Sequence, residues 1–429
     1  MPPHLTRRHF LSAGAVAVAV PQLLGQNLPA AAPPTYAPDT LFLTYHADPT
    51  TAVTVQWLDV AFDPAAVPVV YRQRGGILDV AAPTTVPVTR KPYPRSDRPG
   101  VDEGFADLHV YRAVLSGLTP GAEYEFRLGG RTAAYRFRTM PSKMTDAFHF
   151  VSGGDCGIGA AAVASNKIAA KQDPMFALIG GDLGYDNGWS VEASVQFVRN
   201  YAAGMTDSQG RLIPMLVCVG NHEVYGGYGK GRADAPFFFA LFDGLYADAS
   251  FATVDFGDYL SLVLLDTGHI AKIEGEQTDW LDRQLAARRD RPHLLVVNHV
   301  PAYPSFRAPG DDKAGRPGTG HGNRTHWVPL FEKHRVDAVL EHHDHTFKRT
   351  HPLKGGQVDA DGIIYLGDGS WGQLRPAKKP EERPYLATTS TSYHLTLHRL
   401  EAGQRFHLAL EATGKVLDVT RTAKRGRRA

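Results

Sequence analysis

The apolar residues change their period once along the chain. Across 41–140 they alternate with polar residues in the short runs LFLTYH, VTVQWLD, VVYRQRG, HVYRAVL, EYEFRL and AAYRFRT, which are separated by Gly and Pro. Alternation of period two marks strands with one buried face, and about seven short strands with turns between them predict a β-sandwich. The boundary falls at 140–142. Beyond it the apolar runs become continuous: AFHFVSGGD, MFALIGGD and MLVCVGNH read as strands buried on both faces, with helices expected over 160–172 and 191–203 between them. FATVDFG, YLSLVLLDT and HLLVVNHV predict more strands, 277–289 and 327–334 predict helices, and IIYLGDGSWG, YHLTLHRL, RFHLALEA and KVLDVTR finish one sheet. The expected fold class is therefore all-β followed by α/β, with functional loops at the carboxyl ends of the α/β strands.

A chain of 429 residues is too long for one simple core, which agrees with two domains. Its charge is nearly balanced, 46 basic against 44 acidic residues, so no nucleic acid partner is expected; the basic tail at 422–429 reads as a solvated end. Cys156 and Cys218 form no CxxC pair and are expected to be buried free thiols. At the other end Arg7 and Arg8 precede an apolar stretch at 11–25 and the small residues Ala30, Ala31 and Ala32. That succession reads as a twin-arginine signal peptide over 1–32, cut before a Pro-rich linker. The stretch is shorter than the roughly 20 residues of a membrane span. Handling by the twin-arginine export machinery is expected, with no stable membrane insertion and a bacterial-type periplasmic or extracellular destination.

Five segments end an apolar run with a metal-binding type of residue: GGDCG (153–157), GGDLGY (180–185), GNHE (220–223), VVNHVPAY (296–303) and EHHDHTFKRTHP (341–352). Together they offer carboxylates from Asp155 and Asp182, a phenol from Tyr185, an amide oxygen from Asn221, and imidazoles from His299, His343 and His345. Seven such groups exceed what one ion holds beside substrate and water, and they suit two ions sharing a bridging carboxylate. Two adjacent ions clamp the attacking and leaving oxygens of an in-line displacement at phosphorus. A binuclear hydrolase is the leading expectation, carried by the joint arrangement rather than by any single motif.

In the order and spacing of these five blocks the sequence resembles the purple acid phosphatases of the calcineurin-like metallophosphoesterase superfamily. The N-terminal phrase LSGLTPGAEYEFRLGG, followed by YRFRTMP, resembles a fibronectin type III domain, with Leu115 and Leu118 facing inward and Tyr124 at the corner of the next strand. The resemblance implies a fibronectin type III-like β-sandwich over 36–142 and a calcineurin-like αββα sandwich over 146–421. It implies that Asp155, Tyr185 and His345 bind Fe(III), that Asn221, His299 and His343 bind a divalent Fe, Zn or Mn, and that Asp182 bridges. His222 would contact phosphate, beside Asn221, or protonate the leaving oxygen, with a metal-bridging hydroxide as nucleophile. Glu223 would stand behind the ligands as an acceptor orienting an imidazole.

The sequence departs from the family in three places. Gly157 stands where most of the superfamily has histidine, a loss offset by Tyr185. His342 replaces a usual glycine and is expected to crowd the turn or point outward without ligating. Phe347-Lys348 replaces an aromatic-Glu pair. In the Gly/Pro-rich loop 301–326, Arg307, Lys313, Arg316, His321 and Arg324 either meet an anionic substrate or edge a solvated lid, and Tyr225 and Tyr228 either stack on an aromatic substrate or cover their loop. The expected function is an exported phosphomonoesterase resembling an acid phosphatase. Two alternatives stay open: a phosphodiesterase with the same centre, and an exported binding or adhesion protein with structural metals.

Overall fold

The computed structural model describes residues 35–75 and 83–423. The expected signal at 1–32 lies outside the described residues, as does most of the basic tail. Thr422, placed by the sequence reading in that tail, instead belongs to the last strand, Val416–Ala423, because it pairs with Arg405.

Two sheets face one another in the α/β part. One carries the parallel strands Phe148–Gly153, Ala177–Ile179 and Met215–Val217, extended by the antiparallel His394–Glu401, Gln404–Glu411 and Val416–Ala423. The other has seven strands, with Leu260–Leu265, His293–Asn298, Ala338–Glu341 and Ile364–Asp368 parallel at its centre. Period-two alternation divides its side chains. Leu262, Leu264, Val297 and Leu340 join Phe150, Leu178 and Leu216 in the core between the sheets. Val263, Leu265, Val296 and Val339 point the other way, onto Leu281, Leu285 and Phe331 of the helices Glu276–Arg288 and Val328–His334. Strands covered on both faces have no polar face to show, which is why their sequence runs are uninterrupted. The helices Ala160–Ala170 and Val191–Gly204 match the sequence expectation to within a few residues. Cys156 and Cys218 are buried free thiols, and burial raises the pKa of both.

The N-terminal part is β-rich throughout. Thr84–Val86, Val69–Gln73, Glu123–Leu128 and Tyr135–Arg138 form one sheet. Leu115 and Leu118 are buried, and the Tyr124 hydroxyl accepts from the Thr119 amide at 2.8 Å. The strands Thr84–Val86 and Thr89–Pro92 escaped the sequence reading because both lie at sheet edges, largely exposed, and carry no apolar alternation.

The second N-terminal sheet is continuous with the α/β part. Thr44 pairs in parallel with Met215, so Phe42–Thr44, Val53–Val60, Leu108–Leu115 and Thr89–Pro92 extend the first sheet of the α/β part to ten strands. Gln56 Nε2 donates to Leu241 O at 2.9 Å, and Arg112 meets Asp243 at 2.6 Å. Both partners belong to or follow the helix Pro236–Phe242, which the sequence did not reveal. Its residues PFFFALF are apolar on nearly every face because it is wedged between the two parts, so it has no amphipathic period to read.

Candidate metal centre

Every expected ligand lies on a loop leaving the carboxyl end of a strand. Asp155 follows Phe148–Gly153, Asp182 follows Ala177–Ile179, Asn221 opens a short turn after Met215–Val217, His299 follows His293–Asn298, and His343 and His345 follow Ala338–Glu341. Eight non-glycine residues among those described have positive φ, and four of them are Asp155 (57°), Asp182 (56°), His343 (71°) and His345 (57°). Such conformations cost on the order of 1–3 kcal/mol each and persist where the surroundings enforce them, commonly at functional sites.

The seven side chains converge in two overlapping groups. In the first, Tyr185 Oη lies 3.0 Å from Asp155 Oδ1, to which it donates, and 3.0 Å from His345 Nε2, while that nitrogen is 3.1 Å from Asp155 Oδ1. In the second, His299 Nε2 lies 3.2 Å from Asn221 Oδ1, 3.1 Å from His343 Nδ1 and 3.3 Å from Asp182 Oδ2. Ligand atoms of Asp155, Asp182, His299 and His343, all buried, lie within 4.8 Å of one another and join the two groups.

The donor set fits cations. Asp182 Oδ2 is buried, accepts no hydrogen bond, and faces the ring nitrogens of His299 and, at 3.9 Å, His222. A carboxylate oxygen in that state is costly unless a positive charge stands beside it. Burial works against a proton on His299, but the Asp182 carboxylate outweighs it and raises the pKa to about 9. Without an ion, then, a proton on His299 offsets Asp182; a cation takes the same place. His299 Nδ1 is 2.8 Å from the Gly180 carbonyl, which fixes the ring with Nε2 in the cluster.

Glu223 supports the site differently from expectation. It orients no imidazole; its carboxylate accepts the amides of Leu183 (2.7 Å), Asp182 (2.8 Å) and Gly220 (2.7 Å), because the short turn aims it back between the two loops. It thereby ties the Asp182 loop to the Asn221 loop. Glu223→Ala strips three buried N–H groups of their acceptor, at about 1–3 kcal/mol each. The expected outcome is a lower melting temperature and substoichiometric metal, read by calorimetry and elemental analysis.

His342 points inward rather than outward. Its Nδ1 lies 2.8 Å from Asn298 O, and its ring fills the space where a Cβ on Gly154 or Gly180 would come within 2.8 or 2.0 Å of it. Its departure from the usual glycine is matched by these two neighbouring glycines. Lys348 finds its counter-charge in Glu341: the two meet at 2.7 Å, both fully buried, and Glu341 also accepts the Ala302 amide at 2.6 Å.

Two expected substrate contacts are engaged elsewhere. Arg307 donates to the His343 carbonyl and to Asp344 Oδ1 at 3.0 Å, and Asp344 accepts the Ser305 and Phe306 amides. Arg324 donates to the carbonyls of Ala302, Thr319 and Pro309. Both guanidiniums serve a loop whose backbone lacks sheet partners. Arg316 pairs with Asp312 at 2.6 Å, and His321 is exposed. His222 remains at the site: its ring lies 4.2 Å from that of Tyr185, its amide donates to Asp182 Oδ1 at 2.9 Å, and its side chain is partly open to solvent. Tyr225 is exposed at the rim.

Three further side chains adjoin the cluster: Tyr228, read from the sequence as stacking on a substrate or covering its loop, and Arg375 and His269, which the sequence reading missed. Tyr228 Oη lies 3.3 Å from His343 Nε2. Arg375 Nε lies 3.2 Å from His345 Nδ1. His269 packs its ring 4.8 Å from Tyr228 and 5.4 Å from His299, and burial lowers its pKa to about 4. The signal for His269 was present, since LLDTGH closes an apolar run with Asp and His as the five blocks do. Arg375 sits in no such pattern.

Residues 105–347 match the family model for calcineurin-like phosphoesterases, and residues 38–150 match the model for the purple acid phosphatase N-terminal domain. An uncharacterized protein of Mycobacterium tuberculosis is 30% identical over 269 residues, 58% of this chain and 49% of that one, so the chain spans about half of that relative's length. Acid phosphatase type 7 of Mus musculus is 25% identical over 424 residues, 90% of each chain. Among solved structures, a purple acid phosphatase from yellow lupin seeds superposes with a TM-score of 0.73 at 18% identity, covering 90% of this chain and 74% of that one. The chain belongs to the calcineurin-like phosphoesterases, and its N-terminal part matches the N-terminal domain of purple acid phosphatases. The family and the buried Asp/His cluster point to a binuclear metal centre. No helix among the described residues is long and apolar enough to cross a membrane.

Proposed function

We propose that the protein is an exported phosphomonoesterase. The observation that carries the hydrolase reading is the convergence of Asp155, Tyr185 and His345 on one side and Asn221, His299 and His343 on the other, with the unsatisfied Asp182 oxygen between them. The first group, with its phenol, suits Fe(III), and the second, with neutral donors, suits divalent Fe, Zn or Mn. Bound there, the ions would supply Lewis acidity at a phosphoryl oxygen and an activated water. The protein's own part is to hold the carboxylates and imidazoles in place through Glu223 and Gly180 and to present His222 at the open side. From that position His222 gives a proton to the departing oxygen. Export rests on the twin-arginine pattern at Arg7 and Arg8.

Two measurements test this reading. An aryl phosphate should be hydrolysed with higher kcat/KM than its bis-aryl diester; the reverse order makes the protein a diesterase. His222→Ala should keep both ions and lower kcat by roughly 10²–10⁴-fold, the usual contribution of a positioned acid. Loss of metal in that variant contradicts the role.

A further inference from the structure

Among the described residues four aromatic side chains are exposed, Trp189, Tyr225, Tyr228 and Tyr393. The first three sit on two loops that flank His222. Trp189 is presented by a turn in which Asp186 accepts the amides of Gly188 and Ser190 at 3.1 and 2.6 Å. The turn packs against the backbone beside the metal loop, where a Cβ on Gly188 would lie 2.7 Å from the Glu223 carbonyl. Tyr225 faces Trp189 with ring centroids 6.1 Å apart. Tyr228 stands on a strap fastened by Gly229 N to Gly268 O and Lys230 N to His269 O, each 2.9 Å, and its hydroxyl touches His343. Aromatic rings thus stand both at the rim, in the Trp189–Tyr225 pair, and against a candidate ligand, in Tyr228.

A cation completes it, and it comes from the β-rich part. The Arg98 guanidinium lies 3.4 Å from the Trp189 ring centroid and 4.5 Å from that of Tyr225, and among the described residues it has no ion-pair partner. Its loop is fixed to the catalytic part by Asp102, which accepts the amides of Ser96 (2.6 Å) and Val191 (3.0 Å). The guanidinium is seated over both rings, so a planar ligand stacks on the ring faces it leaves open or takes its place, and its positive charge suits a ligand that is also anionic.

We propose that Trp189, Tyr225 and Tyr228, with Arg98 supplied by the N-terminal part, form a leaving-group subsite for phosphoesters that carry a planar aromatic ring. The inference rests on the phosphoesterase reading of the adjoining site. Nucleoside monophosphates and simple aryl phosphates share this chemistry; the base offers a larger stacking face and the aryl ester a shorter reach.

The test compares kcat/KM for adenosine monophosphate, phenyl phosphate and glycerol phosphate in the full chain and in the Trp189→Ala/Tyr225→Ala variant. Loss of stacking should lower the ratio of aromatic to glycerol ester by about tenfold or more. A fall for adenosine monophosphate alone identifies the nucleoside as the ligand, and an equal fall for both aromatic esters identifies the ring itself. An unchanged ratio overturns the subsite. Tryptophan fluorescence separates this failure from failure of the underlying reading. Adenosine, which has no phosphate, should quench the wild type saturably and quench Trp189→Phe less. Such a quench in a protein that turns over no phosphoester would sink the enzymatic reading and keep the ring-binding site, whereas absence of a saturable quench overturns the site.

Discussion

Asp182→Ala is expected to lose at least one metal ion and nearly all turnover. The residue's two oxygens serve different ends: Oδ1 accepts the His222 amide at 2.9 Å, while Oδ2 has no donor and faces His299 at 3.3 Å. It is the carboxylate that lies against the second group of donors, and its removal leaves imidazoles and an amide without a counter-charge. The fall in kcat/KM should therefore exceed the roughly 10–100-fold that follows loss of a group standing behind a ligand. Asp182→Asn separates chemistry from folding, since asparagine tolerates the left-handed φ of 56° and keeps the side-chain volume. It should fold with a near-native melting temperature and still fail to hold two ions. Elemental analysis and aryl phosphate kinetics check both variants; two ions with a rate within tenfold of wild type would remove Asp182 from the bridge.

Lys348→Met should destabilise the fold by about 3–5 kcal/mol, the usual consequence of stranding one member of a buried ion pair. Glu341 and Lys348 are both fully buried, so neither charge is screened by water. Lys348 also donates to the Tyr303 carbonyl, which would lose its partner. The pair lies under the loop that carries His343 and His345, so weaker metal retention should accompany the lost stability. The double variant Glu341→Gln/Lys348→Met removes both charges and should recover much of the deficit. Urea denaturation measures both. A single variant within about 1 kcal/mol of wild type would mean that the pair contributes little.

The site was more legible in the sequence than its surroundings. Each ligand closes an apolar run, and a run of continuous hydrophobicity has a definite end, so Asp155, Asp182, His299 and His343 could be placed at strand ends from local pattern alone. Contacts set by long-range packing could not. The pairing of Thr44 with Met215 joins positions 171 residues apart and leaves no period in either segment. The helix Pro236–Phe242 is buried on nearly every side and so shows no amphipathic stripe. Arg307 and Arg324 looked like anion contacts because a Gly/Pro-rich loop with arginines is open in sequence; in three dimensions its unpaired carbonyls take up the guanidiniums first. The inward direction of His342 was not readable, since it depended on glycines 188 and 162 positions away.

The visible absorption spectrum of the metal-loaded protein beside Tyr185→Phe tests the binuclear centre most directly. Tyr185 Oη stands 3.0 Å from both Asp155 and His345, and burial together with the Asp155 and Asp182 carboxylates keeps its pKa well above the ordinary phenol value until a cation displaces the proton. A broad visible band in the wild type that the variant lacks is the expected result, as tyrosinate on Fe(III) requires. A wild type that holds two ions without such a band, or a variant that keeps it, would contradict the assignment of Tyr185 and of the ferric site.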